Sequence, residues 1–141
     1  MIATKPTDAN KALVQAHYDA MINRFDPDAL RAQLAADFFD HQINAPMNAD
    51  EAIAHGRRVH AAFANLKVTL DDMVAEGDRV AVRATWRGRH AGEFRGIAPT
   101  GRPASVATIA IVEFDRGAIA SQRLHWDCAS LASQLGVTIT A

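Results

Sequence analysis

The spacing of apolar residues changes at Leu66, and this change limits the fold more than any other feature of the chain. Before it, apolar residues recur at intervals of three and four, as between Leu13 and Phe25, which predicts amphipathic helices. After it, apolar and polar residues alternate, as between Val80 and Trp86, which predicts strands with one wet face. Helices first and strands second favour an α+β domain over alternating units around a parallel sheet.

Turn and capping residues divide the two halves into elements. Residues 26–28 (Asp-Pro-Asp) separate a first helix from a second, and Asn48 with Glu51 three residues later resembles a capping box that opens a third helix. Residues 76–78 and 116–117 join pairs of strands as antiparallel hairpins. We therefore expect a cone-shaped α+β domain in which a curved antiparallel or mixed sheet wraps around three N-terminal helices, with a short C-terminal helix.

The composition narrows the class of protein. A chain of 141 residues with 49% hydrophobic and 22% charged residues predicts one globular domain over 1–141, with its core between about residues 10 and 136. A net charge of −1 gives no electrostatic footprint for nucleic acid, and no apolar run is long enough to span a membrane. The single cysteine, Cys128, excludes an internal disulfide, which makes a cytoplasmic location the expectation.

A possible proton-transfer site lies where the last predicted strand meets the terminal helix, at His125, Trp126 and Asp127. A two-residue turn between the last two strands would place Asp127 opposite Val106 and His125 opposite Thr108. Apolar surroundings would make the Asp127 carboxylate a stronger base, because desolvation disfavours its charged form. Alternatively, Asp127 only caps the terminal helix through the amides that follow it.

Other candidate side chains are scattered along the chain. His41 ends the first short strand and His90 lies in a glycine-rich stretch, and each is either a site residue or a satisfied structural group. The Tyr18 side chain on the first helix either reaches a pocket with its hydroxyl or fills the core. His55 and His60 are five residues apart on a helix and face different ways, whereas a zinc pair needs a spacing of four. Since no other ligand cluster is present, we expect no metal site.

Several segments resemble one known family. Residues 76–83 (EGDRVAVR), 86–94 (WRGRHAGEF) and 96–102 (GIAPTGR) resemble the SnoaL-like polyketide cyclases, also described as ester cyclases, of the nuclear-transport-factor-2-like superfamily. The Trp-Asp pair near the C-terminus and residues 40–41 resemble that family as well. The resemblance implies a cone-shaped α+β barrel, a homodimer packed through the sheet, and a reaction without metal or organic cofactor.

The resemblance also implies roles for three residues. An aspartate at the position of Asp127 acts in this family as general acid/base in an intramolecular aldol closure of a polyketide ester. His41 matches a polar pocket position, and His125 or His41 would donate a hydrogen bond to the carbonyl oxygen. The strand over residues 103–115 often carries a further histidine in the cyclases, which this chain lacks.

The expected ligand is a small hydrophobic compound that contains a carbonyl group. We expect a pocket between the first helix and the sheet, whose binding residues are Tyr18, Phe38, Phe63, Trp86, His90, Val106, Thr108 and Trp126.

Two other functions stay open. A binding protein of the same fold without catalysis is favoured by the missing strand histidine. An epoxide hydrolase-like enzyme would need Arg123 or Arg83, with a second aspartate such as Asp72, to converge on Asp127.

The sheet surface that faces away from the helices is a candidate interface. We expect four apolar side chains on it: Ile109, Ile111, Leu124 and Trp126. A surface this apolar is poorly suited to contact with water, so we expect a homodimer through it.

Overall fold

The computed structural model describes residues 5–137, so the first four and the last four residues of the predicted domain lie outside the described residues. Most of the helical structure comes before the long strands. The helices are α1 (Pro6–Tyr18), which continues as a π-helical turn (Asp19–Asn23), α2 (Pro27–Gln33), α3 (Ala49–Ala62) and α4 (Cys128–Gln134).

Six strands form one curved, open sheet. They are β1 (Leu34–Asp40), β2 (Ala45–Pro46), β3 (Phe63–Glu76), β4 (Arg79–His90), β5 (Pro103–Asp115) and β6 (Ala118–Trp126). Their order is β2-β1-β6-β5-β4-β3, and every neighbouring pair is antiparallel except β1 with β6. The predicted α+β class, with a mixed sheet and a short C-terminal helix, is confirmed.

Local side-chain caps start two of the helices where the sequence predicts them. The Asp26 carboxylate accepts a 3.2 Å hydrogen bond from the Ala29 amide, and Pro27 takes the first helical position of α2. The Asn48 side chain accepts a 2.8 Å hydrogen bond from the Glu51 amide at the start of α3. These bonds satisfy amides that have no partner within the helix.

The core lies between the helices and one face of the sheet. Helix α1 packs against β3 and β4, α3 packs against β3, and α4 packs against β5. The largest fully buried apolar side chains come from α1, the π-helical turn, α2 and the strands: Val14, Ile22, Leu30, Val80, Val82, Val112 and Ile119. Within residues 5–137, no helix combines the length and the apolar character needed to cross a membrane.

A β-bulge sets the register of the last two strands. The turn at Arg116 and Gly117 has two residues with positive φ, and Asp115 pairs with Ala118 as predicted. The pairing then shifts by one, from Phe114 with Ile119 to Glu113 with Ser121, so that Ala120 has no partner.

This shift makes the predicted register wrong along most of β6. His125 lies opposite Ile109, and Trp126 lies opposite Thr108, whereas the prediction placed His125 there. Because side chains alternate along a strand, one extra residue exchanges its two faces. Trp126 and Leu124 therefore face the core side, and His125 faces away from it.

The apolar surface on the outward face of the sheet is therefore smaller than predicted. Ile109 and Ile111 lie on it and are exposed to 54% and 37%. Leu124 and Trp126, which were predicted on the same face, line a cavity on the opposite face. Of the four side chains predicted on the outward face, only the two from β5 lie there.

Candidate active site

A cavity of about 150 Å³ opens between α3, α4 and the helix-covered face of the sheet. Its walls are mainly apolar side chains from six elements and the β4–β5 connection: Val59, Phe63, Leu66, Trp86, Phe94, Ala104, Val106, Leu124, Trp126 and Leu131. Five residues predicted to bind substrate line it: Phe63, Trp86, Val106, Thr108 and Trp126. The first helix does not line it, so its location between α1 and the sheet was predicted wrongly.

Hydrogen bonds hold two of the wall residues in place. The Trp86 indole N–H donates to the Thr108 hydroxyl at 3.1 Å, and that hydroxyl donates to the Ala84 carbonyl at 3.4 Å. The edge of the Tyr18 ring packs against Trp86, with ring centroids 6.0 Å apart. Thr108 therefore supplies a buried polar group whose hydrogen bonds are satisfied within the cavity wall.

Three polar side chains reach the cavity without a side-chain hydrogen bond to any residue in 5–137. They are Gln42, which follows β1, His55 on α3, and Arg95 in the connection between β4 and β5. All three are exposed as whole residues, which places them at the mouth of the cavity. A molecule in the cavity would find its polar partners at the mouth.

His55 is the titratable base of this group. Partial burial of its ring lowers its pKa below the ordinary 6.5, as do the positive charges of Arg58 and Arg95, while Asp40 opposes them. The lowered pKa favours the neutral imidazole, which is the form that can accept a proton. The Asp40 carboxylate is buried and accepts hydrogen bonds from the Gln42 amide at 2.8 Å and from the Gln122 side chain at 3.3 Å.

The connection between β4 and β5 brings Arg95 over the cavity. Phe94 and Ile97 exchange two backbone hydrogen bonds of 3.0 and 2.8 Å, and the Glu93 carboxylate accepts from the Gly96 amide. The Arg95 guanidinium carbon lies 5.1 Å from the Trp126 ring centroid and 5.8 Å from that of Phe94. This short turn holds an aromatic residue and a cation side by side at the mouth.

Asp127 lies outside the cavity. Its carboxylate accepts a 3.0 Å hydrogen bond from the Ser130 amide and caps α4, and its own amide donates to the Ala107 carbonyl at 3.1 Å. The residue is exposed and is not opposite Val106, so the apolar surroundings expected for it are absent. The register shift at Ala120 explains the difference.

His41 and His125 lie together in a shallow groove beside the cavity. The groove has a volume of about 390 Å³, and Arg123 also lines it. Three residues line both the groove and the cavity: Gln42, Leu124 and Trp126. The two predicted catalytic histidines are thus brought to the entrance, and their roles stay predictions.

Tyr18, Phe38 and His90, also predicted as binding residues, are not part of the cavity lining. All three are buried, and burial raises the pKa of Tyr18 to about 12. The Thr100 amide donates to His90 Nδ1 at 3.2 Å, and His90 Nε2 has no partner within residues 5–137. These side chains support the cavity wall from behind, since Tyr18 contacts Trp86 and His90 contacts Phe63.

The arrangement needed for an epoxide hydrolase is absent from the described part of the chain. Arg83 pairs with Asp72 at 3.1 Å and with Asp71 at 3.8 Å, and none of the three lines the cavity. Arg123 lies in the groove and forms no ion pair within residues 5–137. Within residues 5–137, no group of three His, Cys, Asp or Glu side chains is placed to bind a metal ion.

The interpretation of the sequence missed three mouth residues. His55 lies four positions before Val59, and this spacing puts both on the cavity side of α3. Phe94 is an aromatic residue in a polar connection, which was a usable signal for a wall residue. No pattern in the sequence marked Arg95 or Gln42, because each lies within a turn whose direction depends on the packed sheet.

Comparisons with known proteins agree with this architecture. The TsrD protein of Streptomyces laurentii is 29% identical, with a TM-score of 0.86 over 96% of this chain and 100% of that chain. IdmH of Streptomyces antibioticus, a candidate polyketide cyclase, is 28% identical, with a TM-score of 0.79 over 91% and 99%. A Catenulispora acidiphila protein with a ketosteroid isomerase-like fold is 24% identical, with a TM-score of 0.74 over 98% and 100%.

No curated protein matches this sequence. The profile of the SnoaL-like polyketide cyclases matches residues 12–135, which is most of the chain. The fold is thus that of ketosteroid isomerase and nuclear transport factor 2. By sequence profile and by fold, the chain belongs to the SnoaL-like polyketide cyclase family.

Proposed function

We propose that this protein is a cofactor-free, cyclase-like enzyme that moves a proton on a small hydrophobic carbonyl compound. The observation that carries the proposal is the cavity itself, whose apolar wall contains two tryptophans and whose polar groups are gathered at the mouth. Such a site holds the apolar part of a ligand by burial and its oxygen atoms by a few placed donors.

The size of the cavity favours a single ring inside it. A cavity of about 150 Å³ in a protein core accommodates a molecule the size of benzene. A longer substrate can continue along the groove, because Gln42, Leu124 and Trp126 border both spaces. His41 and His125 would then contact the part of the substrate that lies in the groove.

The chemistry suits a site with few polar groups. A carbon between two carbonyls is acidic, so one base can remove its proton and leave a delocalised enolate. The enolate carbon then forms a bond with a second carbonyl carbon of the same molecule, and the resulting alkoxide takes the proton back from the base. The atoms balance without an oxidant or a metal, and holding the two reacting carbons together supplies much of the rate.

Two residues are candidates for this base. The family resemblance assigns the role to Asp127, which caps α4 and is exposed outside the cavity. The geometry supports His55, whose imidazole lines the cavity and whose lowered pKa favours the neutral form that accepts a proton. Arg95, Gln42 and the groove histidines are then the donors for the enolate oxygen.

Proton exchange tests the proposal without knowledge of the natural substrate. Ethyl benzoylacetate has one ring and an acidic carbon between two carbonyls, and its exchange with deuterium can be followed by NMR above the uncatalysed rate. We expect His55→Gln to reduce the catalysed rate by about 10²–10⁴ and Asp127→Asn to leave it unchanged. His60→Gln, on the same helix but outside the cavity lining, is the matched control.

If Asp127→Asn lowers the exchange rate and His55→Gln does not, Asp127 is the acid/base. A folded protein that binds the ester but never accelerates exchange would be a small-ligand-binding protein without catalysis. This second function is favoured by one observation, the absence of a histidine on β5.

Two further expectations belong to this proposal. We propose a homodimer through the outward face of the sheet, where Ile109 and Ile111 are exposed. A cytoplasmic location stays a prediction that depends on the single cysteine.

A further inference from the structure

The mouth of the cavity carries an excess of positive charge. Arg95 lines it, and Arg58 and Arg95 both act electrostatically on His55. No aspartate or glutamate is among the residues that line the cavity. The nearby Asp40 carboxylate is buried and already accepts two hydrogen bonds, from the Gln42 amide and the Gln122 side chain.

The Arg95 guanidinium has no anionic partner in the described part of the chain. The ion pairs within residues 5–137 involve Arg31 and Arg83, and Arg95 forms no hydrogen bond there. It lies against the ring faces of Trp126 and Phe94 instead. Because these contacts with aromatic rings leave its N–H groups without an oxygen acceptor, the guanidinium can still donate to a planar anion.

The backbone holds Arg95 in this place before any ligand arrives. Its φ is +49° and that of Gly96 is +81°, and the Phe94–Ile97 hydrogen bonds close the turn on either side. The Glu93 carboxylate accepts a hydrogen bond from the Gly96 backbone amide and does not form an ion pair with Arg95. A preformed donor of this kind loses less conformational entropy on binding.

We propose that Arg95 is a carboxylate-binding residue that determines specificity, so that this cavity takes a ring compound with a carboxylate at the mouth. The ring fills the apolar space between Trp86 and Trp126, and the carboxylate accepts two parallel hydrogen bonds from the guanidinium. This inference rests on the proposed function, since it names the substrate class of the same cavity. It predicts a free acid as the preferred ligand over its neutral ester or amide.

Binding of benzoate and benzamide tests the inference directly. The two molecules have the same shape, differ in charge, and lack an acidic C–H, so the result does not depend on turnover. The two tryptophans of the chain both line the cavity, so their fluorescence reports binding. We expect benzoate to bind about tenfold more tightly than benzamide, and the difference to shrink with added salt.

Variants identify the residue responsible. Arg95→Gln is expected to remove the preference for benzoate while the affinity for benzamide is kept, which shows that the cavity is intact. Arg87→Gln, which removes an exposed charge of β4 outside the cavity lining, is the matched control and should keep the preference. Equal affinity of the native protein for the two compounds, no binding of benzoate at millimolar concentration, or an unchanged preference in Arg95→Gln would each overturn the proposal.

Discussion

The indole N–H of Trp86 donates a 3.1 Å hydrogen bond to the hydroxyl of Thr108 across the β4–β5 pair. The Thr108 side chain is buried and also lies opposite Trp126 on β6. Thr108 is therefore hydrogen-bonded to one cavity tryptophan and is the cross-strand neighbour of the other.

Thr108→Val tests this connection. Valine has nearly the same shape but accepts no hydrogen bond, which leaves the partly buried Trp86 N–H without its partner. We expect the free energy of unfolding to fall by about 1–3 kcal/mol, measured by urea denaturation. Thr108→Ser keeps the hydroxyl and should lose less, so equal losses in the two variants would mean that the methyl group matters and the hydrogen bond does not.

Asp127 caps α4, and its substitution should reveal that role in stability. Asp127→Ala removes the acceptor for the Ser130 amide, and we expect unfolding to become easier by about 0.5–2 kcal/mol. Asp127→Asn keeps an acceptor oxygen of similar shape and should unfold within a few tenths of a kcal/mol of the native protein. Thermal or urea unfolding of the native protein and the two variants measures these differences in stability. Equal stability of all three proteins would contradict the capping role.

His17 should make the protein sensitive to mild acid. Burial lowers its pKa from 6.5 to about 4, while its hydrogen bond with the Gln33 side chain, 3.2 Å long, opposes the shift. Because the unfolded chain takes up the proton first, stability is complete above pH 6.5 and is lost as the pH falls towards 4. The loss should be about 3 kcal/mol.

Urea unfolding at several pH values across this range measures the loss. His17→Gln removes the titrating group and should flatten that part of the profile, although the variant can be less stable at every pH. An unchanged slope in His17→Gln would assign the pH dependence to other groups.

The homodimer can be tested on the outward face of β5. Ile109 is exposed to 54% there, and a charge at this position would be buried by a partner sheet. We expect sedimentation to give a dimer for the native protein at micromolar concentration and a monomer for Ile109→Glu. Ile43, exposed to 53% in the turn that follows β1, offers a control substitution to glutamate outside the sheet. A native monomer would contradict the prediction.

Local patterns in the sequence were enough to predict the elements of this fold. The three-to-four spacing before Leu66 and the alternation after it identified the helices and strands, and the capping side chains at Asp26 and Asn48 located two helix starts. The turn at residues 116–117 was also predictable, because Gly117 adopts positive φ without a steric penalty in a two-residue hairpin. These signals involve neighbours in the chain, so the sequence contains them directly.

The composition of the site was decided by tertiary structure. The unpaired Ala120 shifts β6 by one residue, and this single step exchanges Trp126 for His125 on the cavity face and leaves Asp127 outside. The mouth is assembled from Gln42, His55 and Arg95, which lie on three elements far apart in sequence. No alternation or spacing rule predicts the bulge at Ala120 or the meeting of distant turns, because both depend on how the curved sheet packs against its helices.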